Sequence, residues 1–285
     1  MNTKLKQLTD DIVYLPHKHE TDRPILAAIS GKNRTLIVDA GNSTAHASLF
    51  RNELERNNIQ MGDLLVITHW HWDHIFGMHG MGLPTIAHRI TRDKIVEMKD
   101  YQWTDEALDK RVEEEIEIPF CAETIKKEFK DNRKDIIITP PDIIYEDKLE
   151  INLGGLTCII DNVGGDHSLD STIVYVKERK VIFLGDCLAP NYYAKKKNYN
   201  VDQFLSLLDK IESYDVDIYV ESHCDPVERN EFLKEMNELR LIAGTVRDQD
   251  GVRDKIVPIL EEEFDRKLNQ YEKEMIIYLK NGLKQ

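Results

Sequence analysis

Four strong metal ligands, His69, His71, Asp73 and His74, fall within six residues in the run Thr68-His69-Trp70-His71-Trp72-Asp73-His74. The apolar stretch directly before them, Leu64-Leu65-Val66-Ile67, reads as a buried strand. In an extended segment, alternate side chains share a face, so His69, His71 and Asp73 can converge while His74 points the other way. One ion cannot easily use all four. A turn at the strand end resolves this by feeding two neighbouring metal positions, one served by His69 and His71, the other by Asp73 and His74. Imidazole and carboxylate suit zinc first, then iron or manganese.

The elements that must position these ligands are legible around them. Short strands are predicted at Ile12 to Leu15, Ile25 to Ile29 and Thr35 to Asp39, the last running into Ala40-Gly41. Asn42 or Ser43 can cap a helix carrying Ala47, Phe50 and Leu54. Residues from about His88 to Asn132 are charge-rich and predicted helical, with Thr104 capping a helix that carries Ala107, Leu108, Val112 and Ile116. Strands resume at Ile136 to Ile138, Leu156 to Ile160, Thr172 to Val176 and Val181 to Leu184. A helix near Asp202 to Ser213 then leads to a strand at Asp217 to Val220. Beyond Asp225-Pro226 the chain is predicted helical. Its final stripe, Leu260, Phe264, Leu268, Tyr271, Met275, Tyr278 and Leu279, must cover the core or pair with a second subunit.

A strand followed by a ligand-bearing turn thus recurs at Asp39, at His69 to His74, at His167, at Asp186 and at His223. Residues projecting from one end of adjacent strands meet in space although far apart in sequence, and in that way a sandwich builds a site on its rim.

Composition narrows the chemistry. The net charge of −14, from 52 acidic against 38 basic residues, repels polyanions and argues against nucleic acid or an anionic membrane surface as partner. A small-molecule substrate is favoured. Met1 to Asp11 lacks the apolar core of a signal peptide, and no stretch is long enough to span a bilayer, which places the protein in the cytoplasm. The four cysteines, Cys121, Cys158, Cys187 and Cys224, form no CxxC pair and read as reduced thiols.

From about residue 12 to 226 the chain resembles the metallo-β-lactamase superfamily. The motif HxHxDH is His69, His71, Asp73 and His74. The Gly-His-Ser/Thr loop is met by Gly165-Asp166-His167-Ser168, with Asp166 intervening. The bridging aspartate after an apolar strand is Asp186, the final histidine near a proline is His223, and the early Asp-Ala-Gly is Asp39-Ala40-Gly41. The resemblance implies one metal on His69, His71 and His167, a second on Asp73, His74 and His223, Asp186 bridging them, and Asp39 orienting the ligand loop. Two departures bear on loop shape: Phe76-Gly77 stands where the family has a glycine pair, and Leu169-Asp170 where it often has Pro-Gly.

The implied fold is an α/β four-layer αββα sandwich over residues 1–227, with a helical insert at 88–132 and a helical carboxyl-terminal extension at 228–285. The implied activity is that of a dinuclear hydrolase. Two divalent ions, zinc first with Mn2+ or Fe2+ as alternatives, would hold a bridging hydroxide that attacks a small ester, thioester, lactone or amide. Asp73 would orient the hydroxide and pass its proton on, Tyr192 or Tyr193 would stabilise a developing oxyanion, and a lysine of Lys195 to Lys197 would hold an anionic substrate end. A phosphodiesterase or nuclease on the same fold, and a mononuclear iron oxygenase, are the alternative readings. A homodimer through the insert or the tail stripe is a further expectation, whereas His17, His19, His46, His79 and His88 match no motif position and are assigned to surface or packing roles.

Overall fold

The computed structural model describes residues 4–283. Its first sheet runs in chain order: β1 (Lys6–Thr9), β2 (Ile12–Leu15), β3 (Leu26–Ser30), β4 (Thr35–Val38), β5 (Leu64–Val66), β6 (Thr85–His88) and β7 (Ile143–Tyr145). The second sheet holds β8 (Lys148–Asn152), β9 (Thr157–Asn162), β10 (Thr172–Val176), β11 (Val181–Gly185), β12 (Ile218–Glu221) and β13 (Val227–Glu228). Strands β4 to β7 are parallel neighbours, as are β11 and β12, and the remaining pairs are antiparallel.

Period-two alternation builds the layers. In β4, Leu36 and Val38 face the second sheet while Ile37 faces outward, and in β11 Val181 and Phe183 face the first sheet while Ile182 and Leu184 face outward. Each outward face is covered by helices. On the first sheet these are α1 (Thr44–Arg56), α2 (Trp72–Ile75), α3 (Met78–Met81), α4 (Arg89–Met98), α5 (Asp105–Glu113) and α6 (Pro119–Phe129). On the second they are α7 (Val201–Glu212), α8 (Arg229–Asp248), α9 (Arg253–Glu263) and α10 (Gln270–Gly282). The result is the αββα sandwich. Helix starts follow the capping rules: Ser43 accepts from the His46 amide at α1, Thr104 from Ala107 at α5, and Asn269 with Glu272 forms a capping box at α10.

Two sequence expectations are corrected. Ile136 to Ile138 is not a strand, because Ile136 and Ile138 pack into the helical layer and the parallel partner of β6 is Ile143–Tyr145. Ile116 lies beyond the end of α5 and is exposed, Glu115 having turned into the left-handed region at φ 56°. The carboxyl-terminal stripe is split between α9 and α10, with Asp265 at φ 49° breaking the first helix. Leu260, Leu268, Met275 and Leu279 are all buried against the second sheet's helical layer, so this chain covers most of that stripe itself. No described helix is long and apolar enough to cross a membrane.

Candidate metal centre

Each candidate ligand leaves the backbone where a strand ends or in the connection beyond it. Asp39 follows β4, His69 to His74 follow β5 into α2, His167 sits between β9 and β10, Asp186 follows β11 and His223 follows β12. The structure brings all seven expected ligands together in two groups, His69, His71 and His167 in one and Asp73, His74, Asp186 and His223 in the other.

In the first group His69 Nε2 lies 3.0 Å from His71 Nδ1 and 3.1 Å from His167 Nε2. Burial above all, and then the neighbouring imidazoles, holds His69 and His71 well below the ordinary histidine range, and burial lowers His167 as well. Neutral rings cannot satisfy three converging nitrogens with one another's protons. An ion at about 2.0–2.1 Å from each in tetrahedral geometry would place them about 3.3 Å apart, close to what is seen.

In the second group Asp73 Oδ2 lies 2.9 Å from His74 Nε2 and 3.1 Å from His223 Nε2, while Asp186 Oδ2 lies 3.5 and 3.4 Å from the same two nitrogens. The His74 nitrogen is buried and finds no hydrogen-bond geometry despite this proximity. Burial disfavours charge here, but the carboxylates prevail and raise His74 and His223 well above the usual histidine value. In return the two histidines outweigh burial at Asp73 and Asp186 and hold both carboxyls well below theirs. Asp186 Oδ2 is also 3.9 Å from His69 Nε2 and 3.8 Å from His167 Nε2, so a single oxygen faces both groups. This donor set fits two divalent ions sharing Asp186.

The outer nitrogens of His74 and His167 are held in turn. His74 Nδ1 is 2.8 Å from Asp39 Oδ2, and His167 Nδ1 is 3.3 Å from the Pro190 carbonyl. Thr68 donates its amide to Asp39 Oδ1 at 2.8 Å and its hydroxyl to Oδ2 at 2.9 Å, fixing the carboxylate beneath the ligand turn. Asp39 itself sits at φ 60°, a left-handed conformation that a short polar side chain tolerates best. Asp22, which the sequence did not single out, has Oδ1 3.6 Å from His223 Nδ1; burial, then Asp73, pushes its carboxyl up to about 7. Asp22 belongs to no motif, and only the approach of its loop to β12 reveals it.

A cavity of about 860 Å³ opens over both groups. Its walls include Phe120 from the insert, Tyr271 and Glu235 from the carboxyl-terminal helices, and Tyr192, Lys195 and Lys197 from the loop after Asp186. Both expected tyrosines line this cavity, but their hydroxyls are placed differently. Tyr193 packs on His71 with ring centroids 5.3 Å apart and donates its hydroxyl to Glu117 Oε1 at 2.9 Å, which commits that hydroxyl to the insert. Tyr192 lines the cavity beside His167, and burial pushes its hydroxyl up to about 12, keeping it a proton donor. Lys197 Nζ lies 4.6 Å from the centroid of the Tyr192 ring. Among the unassigned histidines, His46 and His88 are buried packing residues, whereas His19 lines the cavity.

Residues 26–223 match the family model of the Metallo-beta-lactamase superfamily. The chain belongs to that superfamily. No curated protein matches it. Among solved structures, a metallo-β-lactamase from Pontibacter korlensis superposes with a TM-score of 0.57 at 16% identity, over 82% of this chain and 97% of that one. A stereoselective inverting sec-alkylsulfatase from a Pseudomonas species superposes with a TM-score of 0.63 at 14% identity, over 87% of this chain but 42% of its own. A metallo-β-lactamase family protein from Thermus thermophilus gives 0.57 at 17% identity, over 83% of this chain and 82% of its own. At these identities the likeness is one of fold.

Within the metallo-β-lactamase frame the departures in the loops have packing reasons. Phe76, in place of the first glycine of the pair, is buried against Trp72, Trp103 and Phe129 of the helical layer. Gly77 keeps the second position because a Cβ there would lie 1.9 Å from the Ala40 carbonyl oxygen.

Proposed function

We propose that this protein is a dinuclear metal-dependent hydrolase acting on a small ester, thioester, lactone or amide. The observation that supports this most directly is Asp186, whose Oδ2 lies between 3.4 and 3.9 Å from two imidazole nitrogens in each ligand group. A pair of divalent ions, zinc being the first candidate, would supply a water of lowered pKa as nucleophile and polarise the bond under attack.

The chain's own residues have distinct parts in this reading. His69, His71 and His167 would hold one ion, and Asp73, His74 and His223 the other, with Asp186 available to both. Asp73 holds the attacking water by hydrogen bond and moves its proton toward the leaving group. Tyr192, protonated and facing the cavity, donates to the developing oxyanion. Lys195 and Lys197 on the cavity wall accept an anionic end of the substrate. The net charge of −14 disfavours long nucleic acid as substrate.

The test is a hydrolysis screen of the metal-loaded protein against thioesters, lactones, carboxylic esters, amides, phosphodiesters and alkyl sulfates, the last because one structural neighbour is an alkylsulfatase. The reading expects turnover within the ester, thioester, lactone or amide classes, abolished by a chelator and restored by metal. Turnover confined to phosphodiesters, or oxygen consumption by an iron-loaded form, would contradict it. An Asp73→Ala protein that kept its metal and full turnover would defeat the role given to Asp73.

A further inference from the structure

Asp170 is fully buried, although its neighbour Leu169 is 66% exposed, and its carboxylate is held by uncharged donors from three places. Oδ2 accepts the Trp70 amide at 2.9 Å and the Thr91 hydroxyl of α4 at 2.7 Å, and Oδ1 accepts the Ser168 hydroxyl. Trp70 lies between the ligands His69 and His71, and Ser168 adjoins the ligand His167. The Asp170 carbonyl accepts from Thr172 Oγ1 at 2.9 Å, and the Thr172 amide donates to the Thr68 carbonyl at 2.9 Å, so the two ligand loops are also joined beside the carboxylate.

We propose that Asp170 is the positioning residue that sets the separation of the His69–His71 turn from His167 and so preforms the three-histidine metal position. This rests on the dinuclear reading above. The physical case is one of accounting for buried donors. The Trp70 amide is in a turn whose backbone does not pair within a sheet, and without Asp170 it would be a partly buried donor with no acceptor. By accepting it with the same carboxylate that holds Ser168 and Thr91, the chain converts a solvation requirement into a fixed distance between loops about a hundred residues apart. His69 Nε2 and His167 Nε2 then stand 3.1 Å from each other. Asp170 touches neither the reacting atoms nor the ions, and its effect passes through the three ligands.

Hydrogen bonding rather than charge is the operative property, and this separates the role from a generic one. In Asp170→Asn the amide oxygen can still accept from Trp70 and Thr91, while the amide group donates to Ser168 Oγ, which can accept. In Asp170→Ala all three partners lose their acceptor.

The experiment is cobalt titration of the metal-free full-length protein, read by the visible d–d spectrum and by chelator competition, with thermal unfolding of the metal-free forms alongside. Asp170→Ala is expected to lose roughly 10–100-fold in affinity for one of the two cobalt positions and to show an altered spectrum at saturation, the range usual for partners of metal ligands. Asp170→Asn is expected to retain the wild-type spectrum and affinity within a few-fold. If Asp170→Ala does not fold, Ser168→Ala, which removes only the Oδ1 partner, is expected to show a smaller loss of the same kind. Variants less stable than wild type but with unchanged affinity and spectrum would overturn the proposal, reducing Asp170 to a packing role. Loss in Asp170→Asn as large as in Asp170→Ala would overturn it in favour of a charge effect. Wild-type protein taking up no cobalt would instead sink the metal centre itself, and the role of Asp170 with it.

Discussion

Asp39 Oδ2 and His74 Nδ1 lie 2.8 Å apart at the base of the ligand turn, with His74 Nε2 pointing toward Asp73 on the other side of the ring. The backbone of Asp39 is left-handed, and its carboxylate is held by the amide and hydroxyl of Thr68. This contact fixes which nitrogen of His74 would be presented to an ion. Asp39→Ala is therefore expected to weaken metal binding at the Asp73–His74–His223 position by roughly 10–100-fold. Isothermal titration of zinc into wild-type and variant protein measures this, and equal affinities would remove Asp39 from the account.

The same geometry predicts a pH dependence of loading. His74 and His223 lie among Asp39, Asp73, Asp186 and Asp22, and their pKa values are raised by the carboxylates in spite of burial. In metal-free protein near neutral pH these rings carry protons that an ion must displace, so uptake should release protons and weaken as the pH falls. Titrating zinc in buffers of differing ionisation enthalpy reads the proton count directly. Uptake without proton release would contradict the assignment.

Tyr193→Phe and Tyr192→Phe should differ in kind. The first removes the hydrogen bond to Glu117, whose Oε1 keeps the Ile118 amide at 2.8 Å, and should cost about 1–2 kcal/mol of stability with kcat reduced less than about tenfold. The second removes the hydroxyl of a cavity-wall residue that is proposed to serve the oxyanion, and kcat should fall by about 100-fold or more. Paired thermal unfolding and steady-state kinetics separate the two.

Glu128 of α6 accepts from Arg23 at 2.6 Å and from Ser43 at 2.6 Å, joining the helical insert to the connection between β2 and β3 and to the cap of α1. Burial works against its ionisation, but these donors prevail and hold the carboxyl below its ordinary value of 4.5. A depressed carboxylate contributes stability that is fully present above its unfolded value and is lost as the pH falls through the folded one. Glu128→Gln should therefore lower the Tm at pH 7, by about 1–3 kcal/mol in stability, with the difference shrinking below about pH 4.5 and vanishing in stronger acid. A difference independent of pH would mean that packing, not charge, is what Glu128 supplies.

The ligand set was legible in the sequence because its parts are local: an apolar strand, then polar residues at its end. His69 to His74, Asp186 and His223 each carry that signal within a few residues. Helix α10 is legible in part from its apolar stripe, but the break at Asp265 that divides the stripe between two helices carries no glycine or proline to mark it. Strand β8 is not legible in the sequence because Lys148–Asn152 offers only Leu149 and Ile151 on its inner face. Ile136 to Ile138 misled for the opposite reason, being apolar for the sake of the helical layer. The parts played by Asp22 and Asp170 could not be found by pattern at all. Each acts on a loop distant in the chain, and a carboxylate's partner across such a separation is fixed by the packing of the two sheets.

Whether two ions share Asp186 is read by elemental mass spectrometry of protein purified without added metal or affinity nickel. The account predicts close to two zinc or manganese ions per chain, falling toward one in Asp186→Ala. A single iron per chain in the wild type, or no metal retained after careful loading, would contradict it.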